Sequence, residues 1–177
     1  MTMNEIVTLA AFYLQFEDVL NGGPAGEETT AKLLRCANLV RAEIASDYFP
    51  LLTTETVSSA DGTILPASLE KRLIDVKRIT RNGNAVAFKV YPAAIRTVSG
   101  EVEIEYSYMP DDAEIGDDAG FFDKISARTI AYGAAAEYCL VAGLFEEAVI
   151  WEKRFKDSLL AAQRKKSEIK VKPREWI

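Results

Sequence analysis

Apolar residues recur every three or four positions near both ends of this chain and every two positions in its middle. From about residue 4 to residue 20, Ile6, Leu9, Tyr13, Phe16 and Leu20 form one stripe at helical spacing. Asn21-Gly22-Gly23-Pro24 ends this helix, because Gly accepts the left-handed terminal conformation and Pro cannot continue the hydrogen-bond ladder. A second helix is predicted from about 27 to 48, with Thr30, Leu33, Ala37, Val40 and Ile44 on one face. Glu27 and Glu28 suit its positive N-terminal end, and Pro50 stops it. A third helix opens near Phe122 or Asp123 and runs to about Ala142. Its centre, Gly133-Ala134-Ala135-Ala136, admits another helix at close range, and Gly133 costs about 1 kcal/mol relative to Ala unless packing needs it. Gly143 breaks it. The fourth helix extends from near Leu144 to about Lys166, with Ala148, Trp151, Phe155, Leu159 and Ala162 as its stripe.

Residues 53–57, 73–80, 85–91 and 101–108 are β-branched or aromatic, with partial alternation. Asp61-Gly62, Asn82-Gly83 and Ser99-Gly100 lie between these runs, and Asn-Gly and Asp-Gly supply the positive φ of tight hairpins. In Glu101-Val102-Glu103-Ile104-Glu105-Tyr106 the period of two is strict, which predicts an antiparallel strand with one acidic and one buried face. Tyr106 and Tyr108 are expected to pack inside. The order α-α-β-β-β-β-α-α, with short links inside each helix pair, leads to an expected α+β fold, mainly α. It is a four-helix bundle made of two helical hairpins, with a small antiparallel β sub-domain inserted between helices two and three and an extended C-terminal arm. The divisions are 1–50 and 122–167 for the hairpins, 51–110 for the β sub-domain, 111–121 for an acidic loop and 168–177 for the arm.

Composition narrows the chemistry. The 177 residues, 49% apolar and 27% charged, suit one domain or one domain carrying a sub-domain. No apolar run approaches a membrane span, so no membrane partner is expected. Met1-Thr2-Met3-Asn4-Glu5 lacks the basic start of a signal peptide, which makes cytoplasmic synthesis the expectation. Cys36 and Cys139 fall among apolar neighbours on predicted helices and read as reduced core thiols. There is no histidine, which removes the commonest general base, the usual triads and most zinc chemistry.

Charge is placed unevenly. The net charge is −6, yet residues 152–177 carry nine Lys/Arg and four Asp/Glu, which leaves −11 for the rest. Between Gly100 and Gly120 there are eight acidic residues and no basic one. Such opposite poles suit head-to-tail association of copies, or one sign set against a partner. An acidic bulk argues against gripping DNA.

Neither a phosphate loop nor a dinucleotide fingerprint nor a nucleophile elbow is present. The pairs Asp111 and Asp112, Asp117 and Asp118, and Glu146 and Glu147 lack the spacing of a calcium loop. The loop pairs read as solvated, and Glu146 and Glu147 as helix N-terminal charges. Arg164-Lys165-Lys166 lacks interleaved aromatics, and a helix C-terminus favours cations without nucleic acid. No catalytic, cofactor-binding or metal residue is therefore expected.

The last residues are unusual. A basic arm containing Lys170, Lys172, Pro173 and Arg174 closes on Trp176 and Ile177. An aromatic and an aliphatic residue gain little by ending a solvated tail, so they read as anchors for a pocket on another chain. A tail folded onto its own domain and a disordered end are the alternatives.

Several stretches, taken in order, resemble the head–tail connector (adaptor) proteins of tailed bacteriophages. They are the N-terminal amphipathic helix with its Asn21-Gly22-Gly23-Pro24 break; Asp47-Tyr48-Phe49-Pro50; and Leu65-Pro66-Ala67-Ser68-Leu69 followed by Leu73-Ile74-Asp75-Val76-Lys77-Arg78-Ile79. Next come Val102-Glu103-Ile104-Glu105-Tyr106 with its acidic loop and Phe121-Phe122-Asp123-Lys124-Ile125, then an Ala-rich helix and a final helix with a basic tail. The resemblance implies a non-catalytic virion protein forming a ring, commonly a dodecamer, beneath the portal. The ring extends the DNA channel, with non-specific contact to passing DNA, and offers a platform for a neck or tail completion protein. Residues 170–177 would be the portal-docking arm. The β insertion varies within the family. A channel lined by acidic side chains would let DNA slide, an idea that a basic lumen in a ring cross-section would contradict. The competing readings are a small non-catalytic helical binding or regulatory module and a carboxylate enzyme. The latter would need a deep pocket with perturbed carboxylates.

Overall fold

The computed structural model describes residues 1–21, 24–121 and 125–164. The chain divides into two compact units: Met1–Ala37 with Glu114–Ile177, and Asn38–Ala113.

The first unit is helical. Helix α1 (Met3–Tyr13) starts at the N-cap Thr2, whose hydroxyl accepts from the Glu5 amide. It stops earlier than its stripe predicts, because Gln15 turns to a φ of 58° and the chain restarts as the short α2 (Glu17–Asn21). Helix α3 (Pro24–Glu43) begins in this unit and ends in the other. Helix α4 (Ala127–Val141) is capped by Ser126, and α5 (Phe145–Arg164) follows a turn at Gly143. Among the described residues the close helix pairs include α1–α4, α4–α5 and α1–α2. Gly133 through Ala136 are all buried on α4, which fits a helix packed closely on α1 and α5. Aromatic rings of three helices meet in a stack: Tyr13 lies 5.1 Å from Tyr132 and 5.3 Å from Trp151. The Arg154 guanidinium sits 4.8 Å over Trp151. Each such ring contact adds about 0.5–1.5 kcal/mol beyond burial. Thr129 on α4 and Ser158 on α5 share a hydroxyl hydrogen bond of 2.7 Å.

The second unit is built on a sheet. After a π-helical turn (Ile44–Tyr48), β1 (Leu51–Ser59) leads through β2 (Thr63–Ile64) to β3 (Leu73–Arg81). Then come β4 (Asn84–Ala85), β5 (Lys89–Val90), β6 (Ile95–Arg96) and β7 (Gly100–Tyr108). The main sheet runs β1-β7-β3-β4 and a smaller one β2-β6-β5, with every pairing antiparallel. Val76, Ile79, Val102, Ile104 and Tyr106 of the main sheet share one core with Ile64 and Ile95 of the small one. Asn82 and Gly83 both take positive φ, 51° and 78°, as the β3–β4 hairpin requires. A Cβ on Gly62 would fall 2.3 Å from the Thr97 carbonyl oxygen, which reserves that turn for glycine.

The expected four-helix bundle with a small β insert is overturned. The main strands are nine residues long and bury their own aliphatic core, so the β region is a sheet-based unit and no appendage of a bundle. The predicted first helix is broken at Gln15. The predicted strand at 85–91 is also absent as one piece. Tyr91 and Ala94 bond across Pro92, and this turn redirects the chain from β5 into β6. The predicted extended arm, 168–177, lies outside the described residues.

Ile104 is fully buried in the sheet core. Ile104→Ala is expected to cost about 2–5 kcal/mol in urea denaturation, whereas Val149→Ala, on the exposed face of α5, should change stability by less than about 0.5 kcal/mol.

Candidate interaction surfaces

The residues predicted to dock a partner, Lys170, Lys172, Pro173, Arg174, Trp176 and Ile177, all lie outside the described residues. The described surface offers three other features: a pinned acidic loop, an acidic sheet face and an apolar hairpin tip.

The acidic loop is tied down more firmly than a solvated run of carboxylates. Within the sheet unit, the Asn38 amide donates to the Ala113 carbonyl at 3.0 Å and accepts from the Ala113 amide at 3.0 Å. Arg41, itself buried, donates to Asn38 Oδ1 at 2.7 Å and to the Asp111 carbonyl at 3.2 Å. Lys71 meets the Asp111 carboxylate at 3.1 Å, which raises the ammonium's affinity for its proton. Within the helical unit, the Met1 ammonium meets Asp118 at 3.2 Å, and the backbone pairs Met3 with Asp117 and Ala119 with Met1. The sequence carried one signal for this clamp. Arg41 falls in the row Ala37, Arg41, Ile44 of the second helix, and a charge in an apolar row must find a partner. Which partner it finds depends on contacts seventy residues away.

The acidic sheet face follows from strand alternation. Glu101, Glu103 and Glu105 of β7 stand opposite Ser58, Thr56 and Thr54 of β1. Arg78 reaches Glu105 at 3.2 Å, and Thr80 donates to Glu103 at 3.0 Å. An open depression on this face is lined by Thr56, Thr80, Asn82, Glu101 and Glu103. On the opposite face, the buried Tyr106 donates to Glu55 at 2.9 Å and accepts from the Lys71 amide at 3.2 Å. Burial, more than these bonds, holds the Tyr106 hydroxyl above its usual pKa.

The apolar tip lies at the α4–α5 turn. Leu140, Val141, Leu144, Phe145, Val149 and Ile150 are all exposed, Val141 to 78%. Periodicity had no means of finding this patch, because these residues flank the stripe that the helices bury.

Among the described residues no three His, Cys, Asp or Glu groups converge as metal ligands, and no helix is long and apolar enough to cross a membrane. Cys36 and Cys139 are buried free thiols. Burial, with Glu137 nearby, pushes the Cys36 thiol up to about 11, far from a reactive thiolate at neutral pH. No family model matches the chain, and no curated protein matches it.

Replacing Asn38 with Ala strands the Ala113 amide and carbonyl. The substitution is expected to cost about 1–3 kcal/mol in urea denaturation and to speed amide exchange across residues 111–113. The Cys36 thiol supplies a pH test. Its folded pKa lies above the ordinary 9.0, so its contribution to stability is complete below pH 9 and is lost as pH rises through about 11. Urea midpoints for Cys36→Ala should therefore fall less steeply than wild type across that window.

Proposed function

We propose that the chain is a structural virion protein, a head–tail connector that assembles as a ring under the portal of a tailed bacteriophage. In this reading the ring extends the DNA channel and presents a platform for the neck or tail, and the C-terminal arm docks on the portal. The observation that carries the proposal is the opposition of charge within one chain. An acidic body bearing −11 leads into a basic end that closes on Trp176 and Ile177. A ring needs two complementary faces on each subunit, and opposite poles supply them. The pinned acidic loop and the glutamate face of the sheet give the acidic pole a fixed shape.

A second reading, a small binding or regulatory module without catalysis, draws on the exposed apolar tip at Phe145 and Val149. Such a module would bind one partner in a fixed ratio and form no ring.

Deleting residues 175–177 tests the docking role. Particles assembled with the truncated chain are expected to lose packaged DNA or fail to join tails, as read by particle counts and encapsidated DNA. Normal particles that retain their DNA would remove the anchor role from Trp176 and Ile177.

A further inference from the structure

Strand β1 is a sheet edge whose one charged residue, Glu55, points inward and is engaged by the Tyr106 hydroxyl and the Glu70 amide. Among the described residues it pairs only with β7, in unbroken register from Leu51 opposite Tyr108 to Ser59 opposite Gly100. Its nine residues include no Pro and no Lys, and no bulge twists it away. Natural proteins blunt or cover such edges, because the outward amide and carbonyl groups are a template for another strand. Its neighbour is the acidic row Glu101, Glu103 and Glu105, separated from the edge only by the short side chains of Ser58, Thr56 and Thr54.

The chain itself contains a segment with the complementary pattern. From Glu168 to Lys172 polar and apolar residues alternate (Glu168-Ile169-Lys170-Val171-Lys172), Ser167 precedes them and Pro173 follows. Paired to β1, Ile169 and Val171 would fall on the face where Val57 packs against the core. Lys170 and Lys172 would fall on the glutamate face together with Glu168, so the segment brings a net charge of +1 to it. They would stand two strands from Glu103 and Glu105, about 10 Å, which extended Lys and Glu side chains span over a row of threonines. Six residues cover about 20 Å of edge, and Pro173, lacking an N–H, ends the ladder.

We propose that residues 167–172 of a second copy add as a strand to the free edge of β1. Edge-to-edge pairing of two β1 strands is the weaker alternative, because it would extend one acidic face with another. Opposite poles on one chain let each copy give its segment to the next and receive one in turn, which is the head-to-tail contact of a ring. The proposal rests on self-assembly within the connector reading and does not need the portal. It moves Lys170 and Lys172 from the portal-docking arm to the neighbouring copy and leaves Trp176 and Ile177, beyond Pro173, to reach the portal. This mode is strand addition, in which main-chain bonds supply affinity and alternate side chains supply specificity.

Hydrogen–deuterium exchange of the full-length chain tests it. The outward-pointing amides of Leu51–Ser59, alternate residues that do not bond β7, should exchange slowly in concentrated wild-type protein and lose that protection on dilution. They should also lose it in Val171→Pro, which deletes a ladder donor, and in the Lys170→Glu, Lys172→Glu pair. Protection unchanged in Val171→Pro would overturn the assignment, and if it still falls on dilution, β1 pairs with β1. Protection that persists on dilution yet vanishes in Val171→Pro would overturn the second copy as donor and place the segment on its own chain. Imaging of Val171→Pro with a portal separates this inference from the connector reading. Rings formed by wild type that lacks β1 protection would remove strand addition and leave the connector standing.

Discussion

Every second side chain of β7 has to leave water, and the sheet unit is organised around that constraint. Val102, Ile104 and Tyr106 point to one side and are buried, so Glu101, Glu103 and Glu105 must point to the other. A slip of one residue would put three carboxylates in the core, which fixes the register against both β1 and β3. Because β7 is flanked on both sides, β1 is left as the edge, and the hydroxyl row of β1 falls beside the glutamates. The buried aliphatics of β3 and of the small sheet then close the same core. One alternating sequence thus sets the core, the charged face and the open edge together.

Local signals in the sequence gave way where distant contacts decided. The alternation at 101–106 and the Asn82-Gly83 hairpin are local, and both stand in the structure. Tyr13 and Trp151 fall on the predicted stripes of their helices and are half-buried where they meet. The break at Gln15 has no Gly or Pro to announce it. The strand expected at 85–91 splits at residues 86–88, because Ala85 pairs with β3 of the main sheet while Lys89 and Val90 pair with β6 of the small one, partners that alternation does not encode. The architecture was misjudged for a related reason. Helical stripes show that faces are buried, but not against what, and the autonomy of the sheet core emerges only when Ile64 and Ile95 join it.

The candidate surfaces show the same division. The acidic character of residues 100–120 is plain in the sequence. That the loop is clamped by Asn38 and Arg41 is not, since its partners come from a helix far away in the chain. The edge of β1 could not be read at all, because an edge is defined by the neighbour a strand lacks. Charge patterning, by contrast, was legible throughout. It links the two proposals, for an acidic body with a basic, strand-patterned end has the two faces that one subunit of a ring requires.

The central claim is that copies of this chain close into a ring on a portal. Light-scattering mass combined with negative-stain imaging, recorded with and without a candidate tailed-phage portal, tests it most directly. The account predicts closed rings seated on the portal with a mass many times that of one chain. A strict monomer under both conditions would contradict it.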